Sequence, residues 1–302
     1  MKTAPRLDLI ICTRHRPAEL SAVLSSVGRQ LAIPALVVVV DSSDDDLSRS
    51  IVERRAEQWP DGSTLQYLHA GPGLPHQRNV GIEATSNEII CFLDDDVELE
   101  PDYFTAIASA FSADSAHEIG GVGATILNQP ARPRLWKLDA ALGLDSPIEG
   151  VVLRTGRNVR VVTPKQESLR VEWLAGLATA YRREVFAEHR PNEMLTVEGE
   201  DVEFSYRVAQ DWQLVVLADA RVSHTESLMN RPDRAESAAR ELWVRHLRCS
   251  DRTGILKMRW FWIGVCLQLF RALLTGVVVS EQRSIARGTL RGIRKIRAAE
   301  SS

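Results

Sequence analysis

Four short apolar runs, residues 7–12, 35–40, 65–68 and 89–93, punctuate the first part of the chain, each bounded by turn formers. They are apolar at nearly every position rather than at alternate ones, as strands covered on both faces should be. Between them, residues 17–30, 46–58 and 75–84 carry helical spacing. This strand–helix repetition predicts an α/β fold with a mostly parallel sheet and right-handed crossovers. Ligands of such sheets bind beyond the carboxyl ends of the strands. Thr13-Arg14, Asp41-Ser42, residues 69–73 and Asp94-Asp95-Asp96 occupy those positions.

The pattern then loosens. Residues 128–170 hold Pro130, Pro133, Pro147 and Pro164 and no sustained period, so they read as an insertion or acceptor-side lobe. Order returns at 171–181, a helix opens near Gly199-Glu200-Asp201, residues 214–217 look like a strand, and 234–249 are helical in pattern. The expected division is a catalytic domain over 1–250, with halves 7–127 and 128–250, and a basic helical appendage over 251–302.

Residues 260–279 approach the length of a membrane span, but Gln268 and Arg271 sit in the middle, where a charge is costly. Tryptophans at one end and the basic residues after it suit peripheral contact with a membrane interface through 257–297. The alternatives are a hairpin packed on the domain or on a second subunit, giving a homo-oligomer, and a true span.

Composition narrows the function. The 302 residues, 44% of them hydrophobic, suffice for one large α/β domain with an appendage. A net charge of -3 argues against nucleic acid as a partner. Cys12, Cys91, Cys249 and Cys266 have neither metal-ligand spacing nor a disulfide framework. Together with the lack of a signal-peptide pattern before residue 7, they suggest a cytoplasmic protein, peripheral on the inner face of the membrane.

Asp94-Asp95-Asp96 ends the most apolar strand. Adjacent carboxylates there repel one another unless a cation is present. A hard divalent ion such as Mg²⁺ or Mn²⁺ takes oxygen ligands and leaves positions open for a substrate's phosphates. A solvated acidic turn is the plain alternative.

The surrounding motifs, in their order, resemble family 2 glycosyltransferases of the GT-A fold over about residues 7–225. The resemblance implies an inverting, metal-dependent transfer of sugar from a nucleotide-diphosphate donor to a glycan or lipid-linked acceptor. It makes Asp94–Asp96 the family's Asp-X-Asp motif, with Asp96 on the metal and Asp94 and Asp95 on the donor side. Residues 11–17 resemble the loop where base and ribose rest, which implicates Thr13 and Arg14. Asp41 begins a loop that commonly reads the base, here without its usual glycine. His76-Gln77-Arg78-Asn79-Val80-Gly81 matches the Ala-Arg-Asn-X-Gly pattern, which assigns Arg78 to base or phosphate.

On the acceptor side, Glu200-Asp201 resembles the Glu-Asp motif of the catalytic base. Asp201 is the first choice for accepting the acceptor's proton and Glu200 the second. Helix capping is the plain alternative, because acidic residues favour helix N-termini. His224 follows a strand-like run and is either a further metal ligand or a capping histidine. Trp173 either stacks on a sugar or packs in the core.

Competing classes fit less well. No Gly-X-Gly-X-X-Gly follows the first strand, which excludes a dinucleotide-dependent dehydrogenase. A sugar nucleotidyltransferase needs a glycine-rich loop there, and Thr13-Arg14-His15-Arg16-Pro17 has no glycine. A phosphatase using aspartyl chemistry would carry its Asp-X-Asp after the first strand. An inactive scaffold would have no need of Asp94, Asp96 and Asp201 together.

Overall fold

The computed structural model describes residues 5–162, 164–195, 199–225, 234–250, 258–275 and 280–300. The parts of 257–297 that fall on 257 and 276–279 lie outside the described residues. The chain divides into two compact units, Met1–Pro130 with Val161–Ser227, and Ala131–Arg160 with Leu228–Ser302.

The first unit opens with β1 (Leu7–Thr13), α1 (Pro17–Gly28), β2 (Leu36–Asp41), α2 (Leu47–Ala56), β3 (Thr64–His69), α3 (Leu74–Ala84) and β4 (Ile89–Asp94). These are the elements that the apolar runs predict. Then follow β5 (Val97–Leu99), α4 (Tyr103–Ala113) and β6 (Ile119–Ile126), and, past α5 (Trp136–Ala141) of the second unit, β7 (Ser168–Val171), β8 (Ala178–Arg182), α6 (Val185–Glu188), α7 (Glu200–Val208) and β9 (Gln213–His224).

Among the described residues, nine strands form one sheet in the order β3-β2-β1-β4-β8-β6-β9-β5, with β7 also on β9. The pairs β3/β2, β2/β1 and β1/β4 are parallel. Antiparallel β8 separates β4 from β6, and β6 runs parallel to β9. The expected mixed α/β sheet is therefore present, parallel throughout its first half.

Alternation along β1, β2 and β4 explains why they are apolar at nearly every position. Leu9 and Ile11 of β1 pack with Leu20, Val23 and Leu24 of α1 on one face, while Ile10 packs with Ile82 of α3 and Phe92 of β4 on the other. Asp8 is the polar exception in β1. It is fully buried, and its carboxylate accepts the Ser86 and Asn87 N–H groups at 2.9 and 2.8 Å and the Asn87 amide at 2.6 Å. A buried charge with its bonds made pins the turn before β4.

The second unit holds α5, α8 (Arg234–Ser250), α9 (Met258–Thr275) and α10 (Ser280–Glu300). Its boundaries differ from those read from the sequence: 131–160 and α8 group with the C-terminal helices rather than with the sheet. The two polar residues within the apolar segment have partners inside this unit. Gln268 Oε1 accepts from buried Arg245 at 2.9 Å and from Arg157 at 3.2 Å, and its amide donates to Thr289 Oγ1 at 3.3 Å. Arg271 is ion-paired with Asp139, NH2 donating to Oδ2 at 2.9 Å. No helix among the described residues is long and apolar enough to cross a membrane.

Candidate active site

The carboxyl ends of β1, β2 and β4 lie side by side because Thr13 pairs with Asp41 and Cys12 with Asp94 in the parallel register. Buried Gln77 of α3 ties two of those ends together, its amide donating to the Thr13 and Val40 carbonyls at 3.0 and 2.8 Å.

β5 and β9 bring the last candidate in. Val97 sits opposite His224 in their antiparallel register, which carries the imidazole to the residue just before Val97. His224 Nε2 and Asp96 Oδ1 are 3.1 Å apart. Asn128 fixes the His224 backbone from both sides: its amide donates to the His224 carbonyl at 2.8 Å, and its Oδ1 accepts the His224 N–H at 2.9 Å.

Asp95, in the middle of the triplet, faces the β1 loop. It accepts from the Thr13 hydroxyl at 2.7 Å and from Arg16 NH1 at 2.8 Å. Burial pushes its carboxyl up to about 6, against the pull of Arg16 and Thr13. Arg16 also stands 3.5 Å from Asp96. The sequence reading missed Arg16 and chose Arg14, which is exposed. His15, at φ 52°, takes the left-handed region between them, so the basic side chain facing the aspartates is that of Arg16. Two arginines one residue apart in a loop carry no sequence signal that tells which one faces inward.

Asp41 is fully buried. One oxygen accepts the Ser43 N–H and hydroxyl at 2.9 and 2.6 Å, and the other accepts the Tyr67 hydroxyl at 3.1 Å. Its bonds therefore brace the loop after β2. Trp173 is also buried, at 8% exposure, so little of its surface is open to a sugar.

Gly176 and the start of α7 meet the triplet through Arg78. Its guanidinium is buried, donating to the Gly176 carbonyl at 3.1 Å, reaching Asp94 Oδ1 at 3.4 Å and Glu200 Oε1 at 3.5 Å. Asp201, half-buried at the start of α7, accepts the Gly176 N–H at 2.9 Å and its neighbour's N–H, that of Val202, at 2.8 Å. Gly176 must be a glycine here, because a Cβ would lie 2.7 Å from Cβ of Asp201.

Glu200 Oε2 is buried and has no hydrogen-bond partner among the described residues. Burial pushes this carboxyl from 4.5 up to about 7, with Asp201 adding to the rise and Arg78 opposing it. The folded protein thus holds a proton that the unfolded chain gives up at lower pH. The stability from this group is full below 4.5 and lost as pH rises through about 7. In metal-free buffer the thermal midpoint should fall from about pH 5 to about pH 8, and Glu200→Gln should flatten part of that fall. An identical slope in the variant would refute the protonated Glu200.

Asp96 and His224, paired at 3.1 Å, are the residues that could hold a divalent cation, since adjacent ligands about 2.1 Å from an octahedral centre stand about 3 Å apart. A carboxylate oxygen and an imidazole nitrogen also suit Mn²⁺.

Residues 8–188 match the glycosyl transferase family 2 profile, and the chain belongs to that family. Over 100 residues it is 29% identical to EpsH of Bacillus subtilis (strain 168), a protein with a glycosyltransferase name. That match takes in 33% of this chain and 28% of EpsH. Among solved structures, the mannosyltransferase PcManGT from Pyrobaculum calidifontis, in complex with GDP-Man and Mn²⁺, is 17% identical with a TM-score of 0.60, covering 96% of this chain and 86% of that one. S. aureus TarS 1-349 in complex with UDP-GlcNAc is 17% identical with a TM-score of 0.58, covering 94% and 79%. In another S. aureus TarS structure the match spans 39% of that chain. These structures share the fold.

Proposed function

We propose that the protein is a metal-dependent, inverting glycosyltransferase that moves a sugar from a nucleoside diphosphate to a hydroxyl of a glycan or lipid-linked acceptor. The observation that carries this reading is the meeting of Asp96–His224 with Asp94 and Asp201 at one end of the sheet. The nucleotide sugars and Mn²⁺ in the related structures support it.

Asp96 and His224 would hold Mg²⁺ or Mn²⁺, which supplies Lewis-acid neutralisation of charge on the departing diphosphate. Arg16 adds a fixed positive charge beside the same aspartates. Asp94 faces the donor sugar. Asp201 accepts the acceptor's proton as the new bond forms, and its two backbone N–H bonds hold the carboxylate in place for that task. Thr13, Asp41 and Arg14 belong to the loops that form the nucleotide's seat, the first two by bracing it. Screening UDP- and GDP-sugars for turnover with Mn²⁺ tests this reading, and a protein that turns over none of them contradicts it.

For the second unit we propose peripheral contact with the cytoplasmic face of a membrane, with the enzyme acting in cell-surface polysaccharide or glycolipid synthesis. On α9, Gln268 and Arg271 are held by protein partners while Ile263, Cys266 and Phe270 are exposed. On α10, Arg287, Arg291, Arg294, Lys295 and Arg297 are exposed. Exposed apolar side chains with basic neighbours suit an anionic lipid surface. The protein should co-sediment with phosphatidylglycerol vesicles, less so at high salt, and Ile263→Asp with Phe270→Asp should release it. Undiminished sedimentation of the double variant would overturn membrane contact by this face.

A further inference from the structure

The motif from His76 to Gly81 opens α3, and its partners lie on both sides of the site. Gly81 brings the helix hard onto β1, since a Cβ there would stand 2.5 Å from Ile10 Cγ2. Asn79 donates to the Pro191 carbonyl at 3.1 Å and to Glu193 Oε1 at 2.7 Å, and His76 Nδ1 stands 3.0 Å from Glu193 Oε2. These contacts hold Pro191 and Glu193 against α3. Arg78 completes the set. Its guanidinium lies over the Phe92 ring, 5.6 Å from the centroid, and reaches Asp94 on the donor side and Glu200 on the acceptor side. Gly176 links it to the base, because the carbonyl accepts from Arg78 while the N–H donates to Asp201.

We infer that Arg78 is a positioning residue, which sets the spacing between Asp94 and the Glu200-Asp201 start of α7 and does not hold the nucleotide. The inference rests on the glycosyl-transfer reading above. It departs from the donor contact that the resemblance implies, because the fork of the guanidinium is aimed at three protein acceptors. A planar fork is what the task needs: a lysine ammonium cannot span Asp94, the Gly176 carbonyl and Glu200 together.

The test compares binding with turnover. For Arg78→Lys, kcat on the nucleotide sugar that the wild type uses should fall about 100-fold, the effect of misplacing reacting groups by about 1 Å. The Kd for UDP or GDP with Mn²⁺, measured by calorimetry, should stay within about threefold. Guanidinium added to Arg78→Ala should restore part of kcat, a response that a purely structural role would not give. A Kd that weakens as much as kcat/KM, or no rescue, overturns the inference while leaving the glycosyl-transfer reading standing. A wild type that binds neither nucleotide and turns over no sugar overturns both. If the variants fail to fold, the wild type still decides. The Arg78 Nε–H signal in an arginine-labelled NMR spectrum should remain unchanged when UDP or GDP binds with Mg²⁺, and a nucleotide-induced shift of that signal overturns the inference.

Discussion

Asp201→Asn should lower kcat about 1,000-fold while leaving the Kd for UDP or GDP with Mn²⁺ within about threefold. The substitution keeps the shape of the side chain and removes its capacity to accept a proton. Both oxygens of Asp201 accept backbone N–H groups, those of Gly176 and Val202, and each retains lone-pair capacity. An amide can keep one of these bonds by presenting its oxygen, so α7 should still start in the same place. Glu200 is the competing base. It is more deeply buried, and Arg78 already lies against it. Burial and then Asp201 raise its carboxyl to about 7, against the pull of Arg78. Paired single-turnover assays decide. If Asp201→Asn keeps most of its rate and Glu200→Gln loses it, the base is Glu200.

The second large effect is expected at the metal pair. Asp96→Asn should weaken Mn²⁺-dependent nucleotide binding about 100-fold or more, because even outer-sphere partners of metal ligands are worth 10- to 100-fold. His224→Ala should cost about tenfold, since Asp96 and the diphosphate would still supply oxygen ligands. Asn128→Ala, which frees the His224 backbone, should give a smaller loss in the same direction. Manganese titrations followed by electron paramagnetic resonance measure all three. Equal manganese affinity in wild type and Asp96→Asn would remove Asp96 from the metal site.

How much of this was legible in the sequence follows from what each element needs. β1, β2 and β4 are buried on both faces, so burial alone forces a nearly continuous apolar run that stands out from the helices between them, whereas β3, at the sheet edge, buries only Leu65. β6 reads Ile-Gly-Gly-Val-Gly-Ala-Thr-Ile, and three glycines hide a strand from any pattern of apolar side chains. β5 has three residues, too few to show a period. It nevertheless sets the register that takes His224 to Asp96. The candidate residues were legible as chemistry, because carboxylates at strand ends and at a helix start are conspicuous in sequence. Their partners were not. That Asp41 is braced by Tyr67, that Asp95 meets Arg16, and that Arg78 faces Glu200 all depend on contacts between residues far apart in the chain. The polar pair within residues 260–279 teaches the same point. Gln268 and Arg271 argue against a span on cost alone, and the fold adds where they are held, against Arg245, Arg157 and Asp139.

The central claim is a divalent metal on Asp96 and His224 that joins a nucleoside diphosphate to the end of β4. Calorimetric titration of UDP and of GDP into the wild-type protein, with Mn²⁺ and again in excess EDTA, tests it most directly. At least one of the two nucleotides is expected to bind with Mn²⁺ and to lose that binding in EDTA. Binding of neither nucleotide with Mn²⁺, or binding of equal strength in EDTA, would contradict the claim.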